Sequence, residues 1–219
     1  NIYNIIGEKI YNTQYLPTGQ AGSILSEGVR SPSDNTQYSF SQIDSTKLIY
    51  IFEIKEEIAP PAWYHTRKAM EKAHKEKADI ILIQLNTYGG MVDVADSIRT
   101  KILNSEIPVY VFIENNAASA GALISIACDS IYMKPGSTIG AATVVSQTGE
   151  KVPEKYQSYM RSKMRATAER TGRNPDIAEA MVDPYKVIPG ITDSGKVITF
   201  TTSEAIKHGL CNSEANSMD

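Results

Sequence analysis

The stretch that decides the fold begins Val109-Tyr110-Val111-Phe112-Ile113 and continues, after Glu114, as Asn115-Asn116-Ala117-Ala118-Ser119-Ala120-Gly121-Ala122. The first run is apolar and predicts a buried strand. Ala120 to Cys128 predicts a helix of small and apolar residues. Ser119 therefore stands at a strand-to-helix turn, its hydroxyl at the positive end of a helix dipole. Its neighbours are alanine and glycine, so a substrate backbone can come close. A chain displays a nucleophile in this way. The same serine also reads as a helix N-cap, which requires no chemistry.

A second unit of the same kind precedes it. Ile80-Ile81-Leu82-Ile83-Gln84-Leu85 predicts another buried strand, ending in Asn86-Thr87-Tyr88-Gly89-Gly90. Met91 to Asn104 follows with apolar residues at Val94, Ala95, Ile98 and Ile102, a helical spacing. Two glycines permit positive φ and expose backbone N–H groups. Such groups are the donors of an oxyanion hole, although an ordinary βα turn contains the same residues. The pairing of the two turns carries the weight, because α/β proteins place their sites at the carboxyl ends of strands.

The chain has 219 residues, enough for one α/β domain with a sizeable core. It is 42% hydrophobic and 21% charged, with a net charge of −3. No basic stripe with interleaved aromatics appears, which argues against nucleic-acid binding. Arg67, Lys68, Lys72, Lys75 and Lys77 are balanced by Glu71 and Glu76, as on a solvated helix face. Cys128 and Cys211 lack the spacing of a metal site, and so do His65, His74 and His208. No metal or cofactor is expected. A buried thiol is the expected state of Cys128. No stretch reaches the length of a membrane span. The chain does not begin with methionine, and is expected to be a processed product or an excised piece that lacks any membrane anchor.

Residues 1–46 are rich in Asn, Gln, Ser, Thr and Gly and show little periodicity, so they read as a poorly ordered, dispensable N-terminal extension. The domain proper covers residues 47–219. Leu48–Ile54 predicts a strand, and Pro60-Pro61 opens a helix through Lys77. After the two units above come a short strand at Asp129–Met133, a turn at Pro135–Gly140 and a strand at Ala141–Val145. Gln147-Thr148-Gly149-Glu150 reads as a loop tip. Helices are predicted over Pro153–Thr171 and Pro175–Met181, then a strand at Val197–Phe200. Thr202 or Ser203 caps a last helix, Glu204 to His208. Strands alternate with helices, which implies an α/β fold with a mostly parallel sheet.

Five segments point further: Asn86-Thr87-Tyr88-Gly89-Gly90; Ala118-Ser119-Ala120-Gly121; Met133-Lys134-Pro135-Gly136-Ser137-Thr138-Ile139-Gly140-Ala141; Gly172-Arg173-Asn174; and Thr201-Thr202-Ser203-Glu204-Ala205 with Gly209-Leu210. In this order they resemble the NfeD-type membrane proteases, which group with the Clp protease proteolytic subunit, signal peptide peptidase A and the crotonases. The resemblance runs from Lys47 to Glu214, with one departure at Tyr88, where the family usually has proline. It implies a Clp protease/crotonase-like fold of repeated ββα units. It also implies a serine endopeptidase with a Ser–Lys dyad rather than a Ser-His-Asp triad, since Ala141–Val145 holds no histidine. Ser119 is then the nucleophile, and alignment back from Gly172-Arg173-Asn174 places the base on Lys155, with Lys151 as runner-up. Lys134 and Lys163 are nearby but less well placed. Gly90 and Ala120 supply the oxyanion N–H groups. A substrate strand is expected along Gly89, Met91 and Val92 on one side and Ala141, Ala142, Thr143 and Val144 on the other.

A free lysine titrates near 10.4, and a general base must fall to about 7–8, a shift worth about 4 kcal/mol. Desolvation supplies such a shift and a paired carboxylate opposes it. Glu154 is therefore expected to point away, and Tyr156, Tyr159, Met160, a substrate or a second subunit to provide cover. The cleft is expected to carry little charge and to take hydrophobic segments of membrane proteins. The resemblance also implies a stomatin-like partner, a homo-oligomer of at least two copies, and a membrane-associated protease with its catalytic domain outside the cytoplasm. A crotonase-type coenzyme A thioester enzyme would share the fold without needing Ser119, and a non-catalytic scaffold for a membrane partner would share it without the dyad.

Overall fold

The computed structural model describes residues 2–3, 9–10, 48–146 and 148–217. Two short strands, β1 (Ile2–Tyr3) and β2 (Lys9–Ile10), pair antiparallel. The expectation of a poorly ordered extension over residues 1–46 otherwise lies outside the described residues, as does the part of the loop tip at Gln147.

From residue 48 the chain alternates strand and helix. The elements are β3 (Ile49–Ile54), α1 (Pro60–Lys75), β4 (Ile80–Thr87), α2 (Val92–Leu103), β5 (Val109–Ala118), α3 (Ala120–Ala127) and β6 (Ser130–Met133). Strands β3, β4, β5 and β6 lie side by side in chain order, all parallel. Parallel neighbours require crossovers, and each crossover here is a helix. The apolar periodicity explains which helix faces turn inward. In α1 the buried residues are Ala62, Thr66, Ala69, Met70 and Ala73; in α2 they are Val94, Ala95, Ile98 and Ile102. Every residue of α3 is buried, as befits a helix without a polar face.

The second half completes the sheet. β7 (Thr138–Gly140) pairs parallel with β5 and antiparallel with β8 (Thr199–Thr201), and β9 (Ser213–Glu214) pairs with β6. Between them lie α4 (Glu154–Arg170) and α5 (Pro175–Ala180), and α6 (Thr202–Lys207) separates β8 from β9. The ladder along β5 forks. Its Tyr110–Ile113 stretch pairs with β6, and its Asn116–Ala118 stretch pairs with β7. The mostly parallel α/β architecture is that expected from the alternation of predicted elements.

Three local differences have physical causes. β5 does not stop at Ile113 but runs ten residues to Ala118, because β7 gives Asn116–Ala118 a partner. The predicted strand over Ala141–Val145 is instead Thr138–Gly140: Gly140 (φ 140) and Ala141 (φ 50) leave the extended region and end the ladder. The cap of α6 is Thr201, one residue earlier than predicted, in a capping box with Glu204.

Arg173 shows what the Gly172-Arg173-Asn174 segment does in the fold. It is 8% exposed and donates to the carbonyls of Ile126, Cys128, Asp129 and Leu210. The first three of these carbonyls lie at the end of α3, where the helix leaves acceptors unsatisfied, and Leu210 follows α6. Cys128 and Cys211 are both buried free thiols. Burial holds Cys128 well above the ordinary thiol range and pushes Cys211 up to about 11.

Candidate active site

Ser119 is the N-cap of α3, with φ 54 and ψ −115 and no side-chain capping bond. The bland reading of this serine, a hydroxyl spent on the helix end, is therefore not what the structure has. Positive φ is uncommon for a residue with a Cβ and costs about 1–3 kcal/mol. The strain is held by the surroundings. The Ser119 N–H donates to the Gly140 carbonyl at 2.9 Å, and its own carbonyl accepts from Ala122 N at 3.0 Å. The hydroxyl is thus presented at the end of β5 with its backbone anchored on β7.

The Gly-Gly turn lies directly against it. A Cβ added to Gly89 would sit 2.7 Å from Ser119 Cβ and 3.1 Å from its Oγ. Any side chain there would displace the serine. Gly89 has φ 115 and Gly90 φ 152, and a Cβ on Gly90 would meet the Ile58 carbonyl at 2.4 Å. Ile58 clasps the turn, donating to Gly89 O at 2.8 Å and accepting from Met91 N at 2.7 Å. That bridge leaves the Gly90 N–H unused. Thr87 Oγ1 donates to Glu56 O at 2.7 Å and accepts from Gly89 N at 3.1 Å, which sets the start of the turn. Ala120, as the first residue of α3, has an N–H with no intrahelical acceptor. The two sequence turns therefore meet at one place.

A groove of about 470 Å³ runs beside the turn, lined by Lys55, Glu56, Glu57, Asn86, Thr87, Tyr88, Gly89 and Gly90. It is more charged than the composition of the glycine and alanine segments suggested. Lys55 bridges Glu53 at 3.2 Å and Glu114 at 3.1 Å, and Tyr88 is 81% exposed. Other exposed apolar side chains, Met91, Val145 and Tyr156, stand on the segments that carry the remaining candidates.

The Ala141–Val144 segment is largely occupied by its own chain. Ala141 N donates to Ile198 O, and Ala142 N to Met181 O. Thr143 Oγ1 donates to Val182 O. The Gln157 side chain takes both backbone groups of Val144, accepting from its N at 3.1 Å and donating to its O at 2.6 Å. Gln157 is 1% exposed. The N–H groups of Ala141, Ala142 and Val144, expected to pair with a substrate, thus already have acceptors within the chain. No sequence signal pointed to Gln157: a glutamine in a helix reads as solvent-facing, and its partner lies thirteen residues away across a loop.

The lysines differ in situation. Lys155 is in the first turn of α4, exposed, with Nζ 4.9 Å from the centroid of the Tyr156 ring. Lys151 is exposed near Tyr185, its Nζ 6.0 Å from that ring, in the bridge that pairs Val145 with Lys151. Lys134 is exposed. Lys163 is half-buried. Its Nζ lies 2.8 Å from Asp96 Oδ2 of α2, and that hydrogen bond raises its pKa, the wrong direction for a base. Glu154 pairs with Arg161 and so is engaged away from Lys155. The expected apolar cover is not supplied by these three residues: Tyr156 and Tyr159 are about half exposed, and Met160 points into the core. The reason is the helical face. Gln157, Met160, Met164, Thr167 and Ala168 turn inward, which leaves Lys155 on the outer side. Among the described residues no three His, Cys, Asp or Glu side chains converge as a metal site requires.

The pattern of the NfeD1b N-terminal domain matches residues 48–219. Membrane protein NfeD1b of Bacillus subtilis (strain 168) is 30% identical over 173 residues, covering 78% of this chain and 40% of that protein. Membrane-bound protease PH1510 of Pyrococcus horikoshii is 30% identical over 178 residues, covering 78% of this chain and 38% of that protein. The chain thus spans about two fifths of the length of these relatives. Among solved structures, a lysine-to-alanine mutant of the 1510-N membrane-bound stomatin-specific protease, in complex with a substrate peptide, superposes with a TM-score of 0.70 at 28% identity, covering 80% of this chain and 78% of that one. ClpP1 of Listeria monocytogenes shares the fold, with a TM-score of 0.60 at 21% identity over 78% of this chain and 93% of that one. Both curated relatives are named as membrane proteins, and no helix among the described residues is long and apolar enough to cross a membrane.

Proposed function

The chain belongs to the NfeD1b N-terminal domain family, and on that premise we propose that residues 47–219 form a serine endopeptidase domain with Ser119 as nucleophile and Lys155 as general base. The observation that carries the proposal is the Ser119 turn: a strained, uncapped serine whose Cβ and Oγ pack against a glycine that nothing larger can replace.

In the proposed reaction, neutral Lys155 takes the Ser119 proton as Oγ attacks the scissile carbonyl. The oxyanion forms between the N–H groups of Gly90 and Ala120. Lys155 returns the proton to the leaving amine, and water then hydrolyses the acyl-enzyme with Lys155 again as base. Lys155 is exposed, and removal from water is what favours a neutral amine, so this step calls for a bound peptide or a second copy over it. That requirement supports a homo-oligomer of at least two copies. Gly90 offers backbone groups outside the Ile58 bridge to an extended substrate, and Tyr88, Met91, Val145 and Tyr156 supply apolar surface around it. We assign the substrate as a hydrophobic segment of a membrane protein. The stomatin-specific protease among the structural neighbours supports a stomatin-like partner, and the named relatives support a membrane-associated setting, in which we place the domain outside the cytoplasm.

The test is hydrolysis of two peptides, one apolar around the scissile bond and one carrying Asp and Lys there. The wild-type chain is expected to prefer the apolar peptide, and Ser119→Ala to cleave neither while keeping its circular dichroism spectrum. Wild-type turnover by Ser119→Ala ends the serine-protease reading. Equal cleavage of the charged peptide removes the apolar substrate alone.

A further inference from the structure

Helix α4 carries Lys155, and α2 carries the chain away from the Gly-Gly turn. Long polar side chains join the two helices. Asp96 of α2 accepts on Oδ2 from Lys163 Nζ at 2.8 Å and from the Tyr159 hydroxyl at 3.4 Å, and on Oδ1 from Arg99 Nη1 at 3.4 Å. Arg99 in turn donates to the Thr167 hydroxyl of α4, which donates to the Lys163 carbonyl at 2.6 Å. The side chains of Lys163 and Asp96 are only 25% and 24% exposed, which limits the screening that weakens surface ion pairs.

The spacing of these partners gives the arrangement a direction. Lys155, Tyr159, Lys163 and Thr167 recur every four residues, so they form one stripe along α4. The last three are bonded to α2. Passing from Asp96 to Arg99 along α2 means passing from Tyr159 and Lys163 to Thr167 along α4, so the two helices run the same way. Both rise by the same amount per residue. Followed backwards, the stripe reaches Lys155 as α2 reaches Val92, its first residue, two positions after Gly90. The buried face of α4 sets this register only loosely. It carries Met160 and Met164, unbranched and flexible side chains that fill space without specifying one arrangement. The directional bonds to Asp96 supply what the methionines lack.

We propose that Asp96 is a positioning residue: by holding Tyr159 and Lys163 it fixes the register of α4 on α2, and so sets Lys155 abreast of the turn that carries Gly90. Its effect on rate rests on the serine-endopeptidase reading; its effect on register does not. A slip of one residue along α4 displaces Lys155 by about 1.5 Å. A misplacement of about 1 Å at reacting groups costs up to about a hundredfold in rate. Asp96 touches neither Ser119 nor Lys155 in this assignment and acts only through the helix that bears the base.

Steady-state hydrolysis of the apolar peptide and spin-label distances test this together. In Asp96→Ala, kcat per folded molecule is expected to fall at least about tenfold while KM stays within about twofold. Adding Lys163→Met to Asp96→Ala is expected to lower kcat no further, because both act through one contact. Spin labels on Asp93→Cys and Ser158→Cys, exposed residues in the first turns of α2 and α4, read the register without any cleavage, and Cys128 and Cys211 are buried. Replacing Asp96 by Ala in the labelled chain is expected to move the mean distance by about 1.5 Å or more. An unmoved distance overturns the inference, and so does a wild-type kcat in Asp96→Ala or a double variant whose losses add. A wild-type chain that cleaves neither peptide ends the serine-protease reading instead, and the spin-label distance then decides the register alone.

Discussion

Ser119 and Lys155 stand on segments of opposite character. The serine follows a ten-residue strand in the middle of the sheet, its backbone bonded to Gly140 and its side chain against Gly89, with Ile58 clasping the turn beyond. The lysine stands in the first turn of a helix, after a loop, with its Nζ over the ring of its neighbour Tyr156. One group is positioned by three segments distant in sequence, the other by its own helix. In a dyad both groups must be in place, so the less constrained one limits the rate. In the proposed dyad the nucleophile is pre-organised, and the base has to be made competent by whatever packs over α4.

The largest expected effect breaks this comparison at the lysine. Lys155→Ala is expected to lower peptide turnover by at least about a thousandfold, close to the loss in Ser119→Ala, because such residues act as a unit. Lys151→Ala is expected to stay within a few-fold of wild type. Steady-state hydrolysis of the apolar peptide reads both. The reverse ranking moves the base to Lys151 and shifts the contrast from helix to loop.

Gln157 sharpens it. This side chain ties the start of α4 to Val144, and so ties the lysine's helix to the segment beside the nucleophile. Gln157→Leu leaves the Val144 N–H without its acceptor and the Val144 carbonyl to the Val152 N–H at 3.4 Å, and is expected to cost about 2 kcal/mol. Chemical denaturation measures the loss. Turnover is expected to fall as well, with kcat affected more than KM. An unchanged kcat with a full loss of stability separates the loop's packing from the base's position.

A smaller effect lies on the serine's side, in the element that braces β7. Thr201→Ala removes the cap of α6 and is expected to cost about 1 kcal/mol in thermal unfolding, with turnover unchanged. Two hydrogen bonds lower the pKa of Glu204, one from the Thr201 backbone N–H, which Thr201→Ala keeps, and one from the Thr201 hydroxyl, which it removes. A lowered native pKa means that this contribution is complete above the ordinary glutamate range and is lost as pH falls through the native value. The gap between wild type and Thr201→Ala is therefore expected to close at acid pH below that range. A gap that widens there contradicts the assigned cause.

Legibility from sequence follows the same division. The strands Ile80–Leu85 and Val109–Ile113, both turns and the helical faces of α1 and α2 were readable, because local periodicity and glycine placement encode them. What escaped depends on partners far along the chain. Asn116 extends a strand only because β7 arrives, and Lys163 pairs with Asp96, sixty-seven residues away. The groove beside the Gly-Gly turn gains its charge from Lys55, Glu56 and Glu57 of a different strand end. Gln157 substitutes for a missing strand at Val144, a role that no spacing announces. The serine half was legible from two short segments, and the lysine half rested on resemblance.

The anchorage of Ser119 on Gly140 has a temporal consequence. Gly140 is itself fixed by β8, where a Cβ on it would lie 2.4 Å from the Ile198 carbonyl and Thr199 pairs with it. A ribosome releases the serine roughly eighty residues before that support, an interval on the order of ten seconds at ordinary elongation rates. Throughout it the nascent polypeptide carries its serine without the brace that holds the strained turn. The hydroxyl reaches its final orientation only when the last part of the sheet closes, so an unfinished copy passes other emerging chains while still unarmed.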